Sequence, residues 1–278
     1  MESVSIEQAL LTTCQKIGSI DARMLLQHVL NKPQAFLHTH PEQTLTSSQS
    51  QMFNQLVVRR VTGEPIAYLI GERDFYDLIF TVTPAVLIPR PETELLVDLA
   101  LERIPKDQHG RVLDLGTGSG AIAITIAKHR PRTTVVGVDV SVDAVAVASI
   151  NAKQIGVTNF KVINGSWFDV MKGVQFDLIV SNPPYVAEDD PHLAQGDLRY
   201  EPQLALTAKE NGLACLQAIS AAAPAHMNAG GWLLMEHGYD QATVCRKLLE
   251  HAGFKRIFSA PDLAGIMRVS GGQLENDY

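Results

Sequence analysis

Apolar residues in the first seventy positions recur at helical spacing. Ala22, Leu25, Leu26, Val29 and Leu30 share one helical face, and Met52, Leu56, Val57 and Val58 form another just before Arg59 and Arg60. Ser5-x-x-Gln8 and Thr46-x-x-Gln49 have the form of capping boxes, and Gly18 and Gly63 mark helix ends. Residues 1–71 therefore read as a small bundle of short helices.

The periodicity breaks near Gly71. Phe75 to Val82 is rich in β-branched and aromatic residues, and Pro84, Pro89 and Pro91 punctuate the next stretch, so residues 72–92 read as an extended connector or hairpin. From Thr93 the period alternates between helix and strand. A helix over Thr93 to Arg103 precedes strands at Arg111–Leu115, Thr134–Asp139, Phe160–Ile163, Phe176–Ser181 and Trp232–Glu236, with helical patterns between them. Two short strands, Phe254–Ser259 and Ile266–Ser270, close the chain. This order predicts an α/β domain over residues 93–278 built on a mostly parallel seven-stranded sheet.

Composition narrows the function. The 278 residues are 46% hydrophobic, enough for a sizeable core. A formal net charge of −7 argues against a protein that grips nucleic-acid phosphates. Cys14, Cys215 and Cys245 are widely spaced and odd in number, so neither a disulfide framework nor a metal site is expected. The apolar stretches are too short to span a bilayer, and a cytoplasmic, membrane-free protein is expected.

The chemistry begins at Asp114-Leu115-Gly116-Thr117-Gly118-Ser119-Gly120, which runs from an apolar strand into the helix starting at Ala121. Residues without side chains let a ligand approach the backbone closely. A bare G-x-G-x-G also fits a plain tight turn or a dinucleotide site. The next strand ends at Asp139, whose carboxylate lies beside the glycine turn, suited to both hydroxyls of a ribose. Together with Val138-Asp139-Val140-Ser141, the run resembles the first two motifs of the class I S-adenosylmethionine-dependent methyltransferases. The resemblance implies a Rossmann-like fold in which Gly116, Thr117, Gly118, Ser119 and Gly120 flank the methionine part of the cofactor and Asp139 its ribose. It also implies that Trp167 lies against adenine; on its residue type alone Trp167 reads equally as a core aromatic.

A second motif, Asn182-Pro183-Pro184-Tyr185, ends the strand Phe176–Ser181, where open α/β sheets place their ligands. In isolation it reads as a strand-ending turn. The chemistry of a carboxamide gives it more meaning. An amide nitrogen is a poor nucleophile because its lone pair is delocalised, so an enzyme must hold the NH₂ with that lone pair toward the incoming group. The side-chain carbonyl of Asn182 and the backbone carbonyl of Pro183, whose ring fixes the segment's φ, supply two acceptors, Tyr185 offers a flat face, and Pro184 completes the candidate catalytic set. Asn182 also borders the expected cofactor site.

This tetrapeptide resembles those of methyltransferases acting on the exocyclic amine of adenine or on protein glutamine N5. Leu87-Ile88-Pro89-Arg90-Pro91-Glu92-Thr93-Glu94, Gly63-Glu64-Pro65-Ile66-Ala67-Tyr68-Leu69-Ile70-Gly71 and Glu236-His237-Gly238 resemble the release factor glutamine methyltransferase family over nearly the whole chain. That similarity implies S-adenosyl-L-methionine as cofactor and class I peptide chain release factors as substrate. Their Gly-Gly-Gln glutamine is the expected methyl acceptor, and the helices of residues 1–71 are expected to help recognise the release factor. A monomer without direct nucleic-acid contact is expected. Rival readings are a ribosomal protein glutamine methyltransferase, an adenine N6-methyltransferase and a binding module without activity. Arg90, Glu92 and Thr93 either line the pocket or set and cap the following helix, while Glu236 and His237 receive no chemical role. Ser270-Gly271-Gly272-Gln273 repeats the substrate tripeptide, a recurrence read as coincidence rather than autoinhibition.

Overall fold

The computed structural model describes residues 4–275, so the outermost ends of the two expected domains lie outside the described residues. The chain divides into two compact units. The first comprises the residues up to Glu72 with Ala194–Tyr200; the second comprises Arg73–Leu193 and the chain from Glu201 onward.

In the first unit, helices α1 (Ile6–Ile17), α2 (Ser19–Leu30), α3 (Gln34–Thr39), α4 (Ser47–Val61) and α5 (Ile66–Ile70) enclose a core that includes Ile6, Leu25, Leu26, Phe53 and Leu56. Both capping boxes form: Ser5 and Thr46 each accept from the third helical amide, and the glutamine there returns a bond. Gly18 ends α1, whereas α4 ends at Thr62 with Gly63 just beyond. The buried face of α4 is Phe53, Leu56 and Val57; Met52 and Val58 are exposed, contrary to the expected stripe. A small rotation of the face explains the difference, because Phe53 leads to Leu56 and Val57 at helical spacings of three and four. Arg60 bonds Asp21 on α2 at 2.6 Å and Asp197 at 3.1 Å, while the Tyr200 hydroxyl donates to the Thr62 carbonyl. These bonds knit residues 194–200 into the helical unit.

The second unit opens with a hairpin, β1 (Glu72–Phe75) and β2 (Leu78–Thr81), whose Phe75 and Phe80 are buried. A 3₁₀ turn over Pro91–Thr93 then leads into α6 (Glu94–Arg103), so Thr93 stands just before the regular helix instead of within it. Pro91 explains this entry, since its missing N–H and fixed φ suit a first helical turn.

The remaining elements alternate as expected: β3 (Arg111–Leu115), α7 (Ala121–His129), β4 (Thr134–Asp139), α8 (Val142–Ile155), β5 (Phe160–Asn164) and β6 (Phe176–Ser181). A two-residue strand pair, β7 (Val186–Ala187) and β8 (Thr207–Ala208), flanks α9 (Gln203–Leu206). Then come α10 (Lys209–Gly212), α11 (Ala214–Ala222), β9 (Met227–Glu236), α12 (Ala242–His251), β10 (Lys255–Pro261) and β11 (Met267–Gln273). The seven-stranded sheet has the order β10-β11-β9-β6-β3-β4-β5; β11 pairs antiparallel with both β10 and β9, and the other pairs are parallel.

The order changes direction between β3, whose next strand in the chain lies on one side, and β6, which lies on the other. A crevice forms at such a switch point beyond the strand ends, which is where the glycine run and the Asn-Pro-Pro turn emerge. Apolar residues on both sheet faces fill two cores, Leu113 and Leu115 facing one and Val112 the other. Gly271 and Gly272 are buried in β11, and a Cβ on Gly271 would approach Leu234 Cδ2 to 2.5 Å. Close sheet packing thus accounts for the glycines of the repeated tripeptide, and Gln273 donates to the Gly230 carbonyl at 2.8 Å. Among the described residues, no helix is long and apolar enough to cross a membrane, and no cluster of metal-ligating side chains forms.

Candidate active site

A cavity of about 380 Å³ opens at the switch point. Its volume lies within the usual range for sites that enclose a small molecule. Gly116, Thr117, Gly118, Ser119, Asp139 and Trp167 form part of its wall, and Asn182 and Pro184 another part. Gly116 and Gly118 have φ of +71° and +55°, and a Cβ on Gly118 would meet nothing within 4 Å. Backbone here is therefore accessible to a ligand. Gly120 stands apart from the wall: a Cβ there would come within 2.6 Å of Ile124 and 3.3 Å of Ala148. Its place is dictated by the packing of α7 against α8.

Asp139 braces the glycine turn. Its Oδ2 accepts from the Gly118 N–H at 2.8 Å and its Oδ1 from the Ser141 N–H at 2.9 Å. Burial pushes this carboxyl above its ordinary range, while the amides of Ser141, Gly118 and Val140 pull it back. Each oxygen retains acceptor capacity for a hydroxyl. The ring of Trp167 lies 3.6 Å from the position of a Gly116 Cβ, and its own φ is +43°. A bulky residue in that region is strained, and such strain concentrates at ligand sites.

Three further residues support the turn: Asp114, which opens the glycine motif, and Gly137 and Asn151, which no motif marks. Asp114 accepts from the Thr117 hydroxyl at 2.7 Å; burial pushes its carboxyl up to about 7, and its Oδ1 is buried without a hydrogen-bond partner among the described residues. Gly137 on β4 leaves room for Thr117, whose Oγ1 would lie 2.8 Å from an added Cβ. Asn151, fully buried on α8, donates to the carbonyls of Ser119 and Thr81 and accepts from the Thr81 N–H at 2.7 Å. It thereby fastens the glycine turn to the hairpin.

At the Asn-Pro-Pro-Tyr turn, Asn182 reaches the cavity while its Nδ2 donates to the Thr93 hydroxyl at 3.1 Å. Pro183 is buried, and its carbonyl belongs to the peptide that links it to the wall residue Pro184. Tyr185 turns inward: its hydroxyl donates to Glu236 Oε1 at 3.2 Å and its carbonyl accepts from Gln241. Burial and the neighbouring Glu236 carboxyl push the Tyr185 hydroxyl well above its ordinary pKa. Neither Pro183 nor Tyr185 is among the residues that line the cavity.

Glu236 is buried at the end of β9. Burial pushes its carboxyl up to about 7, opposed by the hydroxyls of Thr93 and Tyr185 and the charge of Arg268, and assisted by Glu92. Its Oε2 has no partner at normal hydrogen-bond geometry among the described residues. His237 has both ring nitrogens engaged, with the Gly238 carbonyl and the Ser270 hydroxyl.

Arg90 and Thr93 line the cavity and Glu92 does not. Arg90 pairs with Glu201, which is buried and also accepts from the Ile88 N–H at 3.1 Å. Glu201 thus ties the proline-rich connector to the segment carrying Pro202, Leu204 and Ala205, all on the cavity wall. Only its tertiary partners distinguish this glutamate from other loop acids.

Comparison with known proteins supplies the family. Residues 8–71 match the PrmC N-terminal domain family and residues 93–197 the methyltransferase small domain family. The release factor glutamine methyltransferase of Vibrio cholerae is 45% identical over 99% of both chains. That of Bordetella pertussis is 47% identical over 92% of this chain and 94% of its own. Among solved structures, a Pyrococcus furiosus methyltransferase superposes with a TM-score of 0.56 at 16% identity, covering 79% of this chain and 98% of its own, a likeness of fold. On the strength of full-length identity of this order, the chain belongs to the release factor glutamine methyltransferase family.

Proposed function

We propose that this protein transfers a methyl group from S-adenosyl-L-methionine to the side-chain N5 of the glutamine in the Gly-Gly-Gln motif of class I peptide chain release factors. The observation that carries the reading is the meeting, on one cavity wall, of an open glycine turn with its buried carboxylate and a carboxamide-bearing Asn-Pro-Pro turn. Full-length relatives named as release factor glutamine methyltransferases support the choice of substrate.

When bound, S-adenosylmethionine supplies an electrophilic methyl group on a sulfonium. The residues present fit it: Gly116 to Ser119 offer exposed backbone, Asp139 spare acceptor capacity for ribose hydroxyls, and Trp167 an aromatic surface for adenine. In this reading the chain contributes position. Asn182 Oδ1 and the Pro183 carbonyl accept the two N–H bonds of the glutamine carboxamide, which holds its nitrogen in line with the donor. Pro184 fixes the turn that presents both acceptors. Tyr185, anchored through Glu236, sets where the turn leaves the strand. The helical unit is assigned to recognition of the release factor, and the enzyme is placed in the bacterial cytoplasm as a monomer.

Incubation with methyl-labelled cofactor and three acceptors tests the proposal. Label is expected on the glutamine of a class I release factor, located by peptide mass spectrometry, and not on ribosomal proteins or adenine-containing DNA. Labelling of either of those in place of the release factor would overturn it.

Replacing Asp139 with Asn removes the charge while keeping hydrogen-bonding capacity. Cofactor affinity is expected to fall about 10–100-fold, as loss of a charge-assisted hydrogen bond of roughly 1.5–3 kcal/mol predicts. Calorimetric titration of Asp139→Asn checks this, and unchanged affinity would remove Asp139 from the cofactor site.

A further inference from the structure

We propose that Gln241 is a positioning residue that fastens the exit of the Asn-Pro-Pro-Tyr turn and so holds the acceptors of Asn182 and Pro183 where the substrate amide meets them. The inference rests on the function proposed above and adds to it a donor that the turn itself lacks. Proline has no N–H, so Pro183 and Pro184 in succession can only accept. They cannot tie the turn down through their own amides, and other groups must. At the entry, Asn182 Nδ2 donates to Thr93 Oγ1 at 3.1 Å. At the exit, the Tyr185 hydroxyl donates to Glu236 at 3.2 Å and Gln241 Nε2 donates to the Tyr185 carbonyl at 3.0 Å. Between these anchors the Pro183 carbonyl takes part in no hydrogen bond among the described residues, which leaves it for a substrate N–H.

Gln241 makes this bond in one orientation only. It stands just before α12, is 8% exposed and does not line the cavity, so it reaches a ligand only through the turn. Its Oε1 accepts from the Gly238 N–H at 2.8 Å, opposite the bond from Nε2 to Tyr185. A backbone N–H only donates and a backbone carbonyl only accepts, so these two partners fix which end of the amide faces which. Reversed, donor would meet donor and acceptor would meet acceptor in a buried place, where unmade bonds are costly. Gly238 lies just beyond β9, the strand paired with β6, so Gln241 ties the turn at the end of one strand to the corner at the end of its neighbour. Gly212 closes on the same carbonyl: its φ is +82°, and a Cβ there would lie 2.1 Å from the Tyr185 oxygen. Without the Gln241 donor that enclosed carbonyl is left unpaired, and a turn that shifts to satisfy it carries the Asn182 and Pro183 acceptors with it.

The test uses the full-length enzyme, a purified class I release factor and methyl-labelled cofactor at about pH 8.5, well above the ordinary glutamate range. Gln241→Glu, ionised there, keeps an acceptor for Gly238 and loses the donor to Tyr185; Gln241→Met keeps the length and loses both bonds. In each, kcat is expected to fall about 10–100-fold, because a small misplacement of the acceptors is costly at the transition state, with KM and cofactor affinity within about threefold of the parent enzyme. A merely structural role would instead lower cofactor affinity and thermal stability without a selective effect on kcat, and that pattern overturns the inference. Loss in Gln241→Met alone would place the effect in the Gly238 bond, and loss in Gln241→Glu alone in the added charge; either overturns it, as does parental kcat in both. Should one of the two not fold, Gln241→Ala takes its place, with cofactor titration confirming an intact cavity. All of these outcomes leave the proposed reaction standing, whereas failure of the parent enzyme to label the release factor overturns the reaction and this inference with it.

Discussion

Asn182→Ala is expected to lower kcat about 100–1000-fold, the magnitude found when one preorganised polar contact to a transition state is removed. The reasoning is that of differential binding. In the ground state a glutamine carboxamide is satisfied equally by water, so an acceptor on its N–H adds little to affinity. As the nitrogen lone pair is drawn toward the methyl group, the N–H bonds become more acidic and the hydrogen bond to Asn182 Oδ1 strengthens. The loss should therefore appear in kcat with KM nearly unchanged. Cofactor affinity should stay within about threefold, because the glycine turn and Asp139 are held by their own bonds, from Gly118 and Ser141. Steady-state kinetics on purified release factor checks this. Near-parental turnover would mean that the amide is oriented by other groups.

Glu201→Ala is expected to cost about 3–5 kcal/mol of stability, the usual consequence of removing one partner of a buried ion pair. Glu201 carries two loads: it balances the Arg90 guanidinium and satisfies the Ile88 N–H. Its carboxylate side chain is 0% exposed whereas that of Arg90 is 31% exposed, so the alanine variant leaves a cavity and an unpaired amide and releases the arginine partly to solvent. Because Arg90 lines the cavity, weakened cofactor binding should accompany the loss. Glu201→Gln, which keeps an acceptor for Ile88, should lie between the two. Urea titration of the three proteins measures the series. A shift below about 1 kcal/mol for Glu201→Ala would show the pair to be a surface ion pair in its energetics.

These expectations rest on features of unequal legibility in sequence. The sheet and its glycine turn are readable because they are local: alternating periods mark each element, and Gly116 and Gly118 sit where positive φ is required. The capping boxes at Ser5 and Thr46 are equally plain, since a cap is written within four residues. The face of α4 lies a fraction of a turn from the one its apolar pattern suggests. Met52 and Val58 flank the true stripe of Phe53, Leu56 and Val57, and in a short amphipathic helix only the neighbours choose between overlapping stripes.

The hidden part is tertiary. Asn151 lies between Thr81 and Ser119, Gly137 gives way to Thr117, and Thr93 meets Asn182. Each relation joins residues of different elements, with no local pattern to betray it. The Asn-Pro-Pro-Tyr motif shows the same division. Its place at a strand end is evident from sequence, yet the inward turn of Tyr185 toward Glu236 depends on a strand that arrives much later in the chain.

Catalysis in this reading requires that the oxygen of Asn182, and not its nitrogen, receives the substrate amide. A crystal structure of the enzyme with S-adenosylhomocysteine and a class I release factor tests that requirement at the atoms concerned. The side-chain nitrogen of the Gly-Gly-Gln glutamine is expected within hydrogen-bond distance of Asn182 Oδ1, with Nδ2 still on Thr93. A glutamine nitrogen held elsewhere, or Asn182 presenting Nδ2 to the substrate, would contradict it.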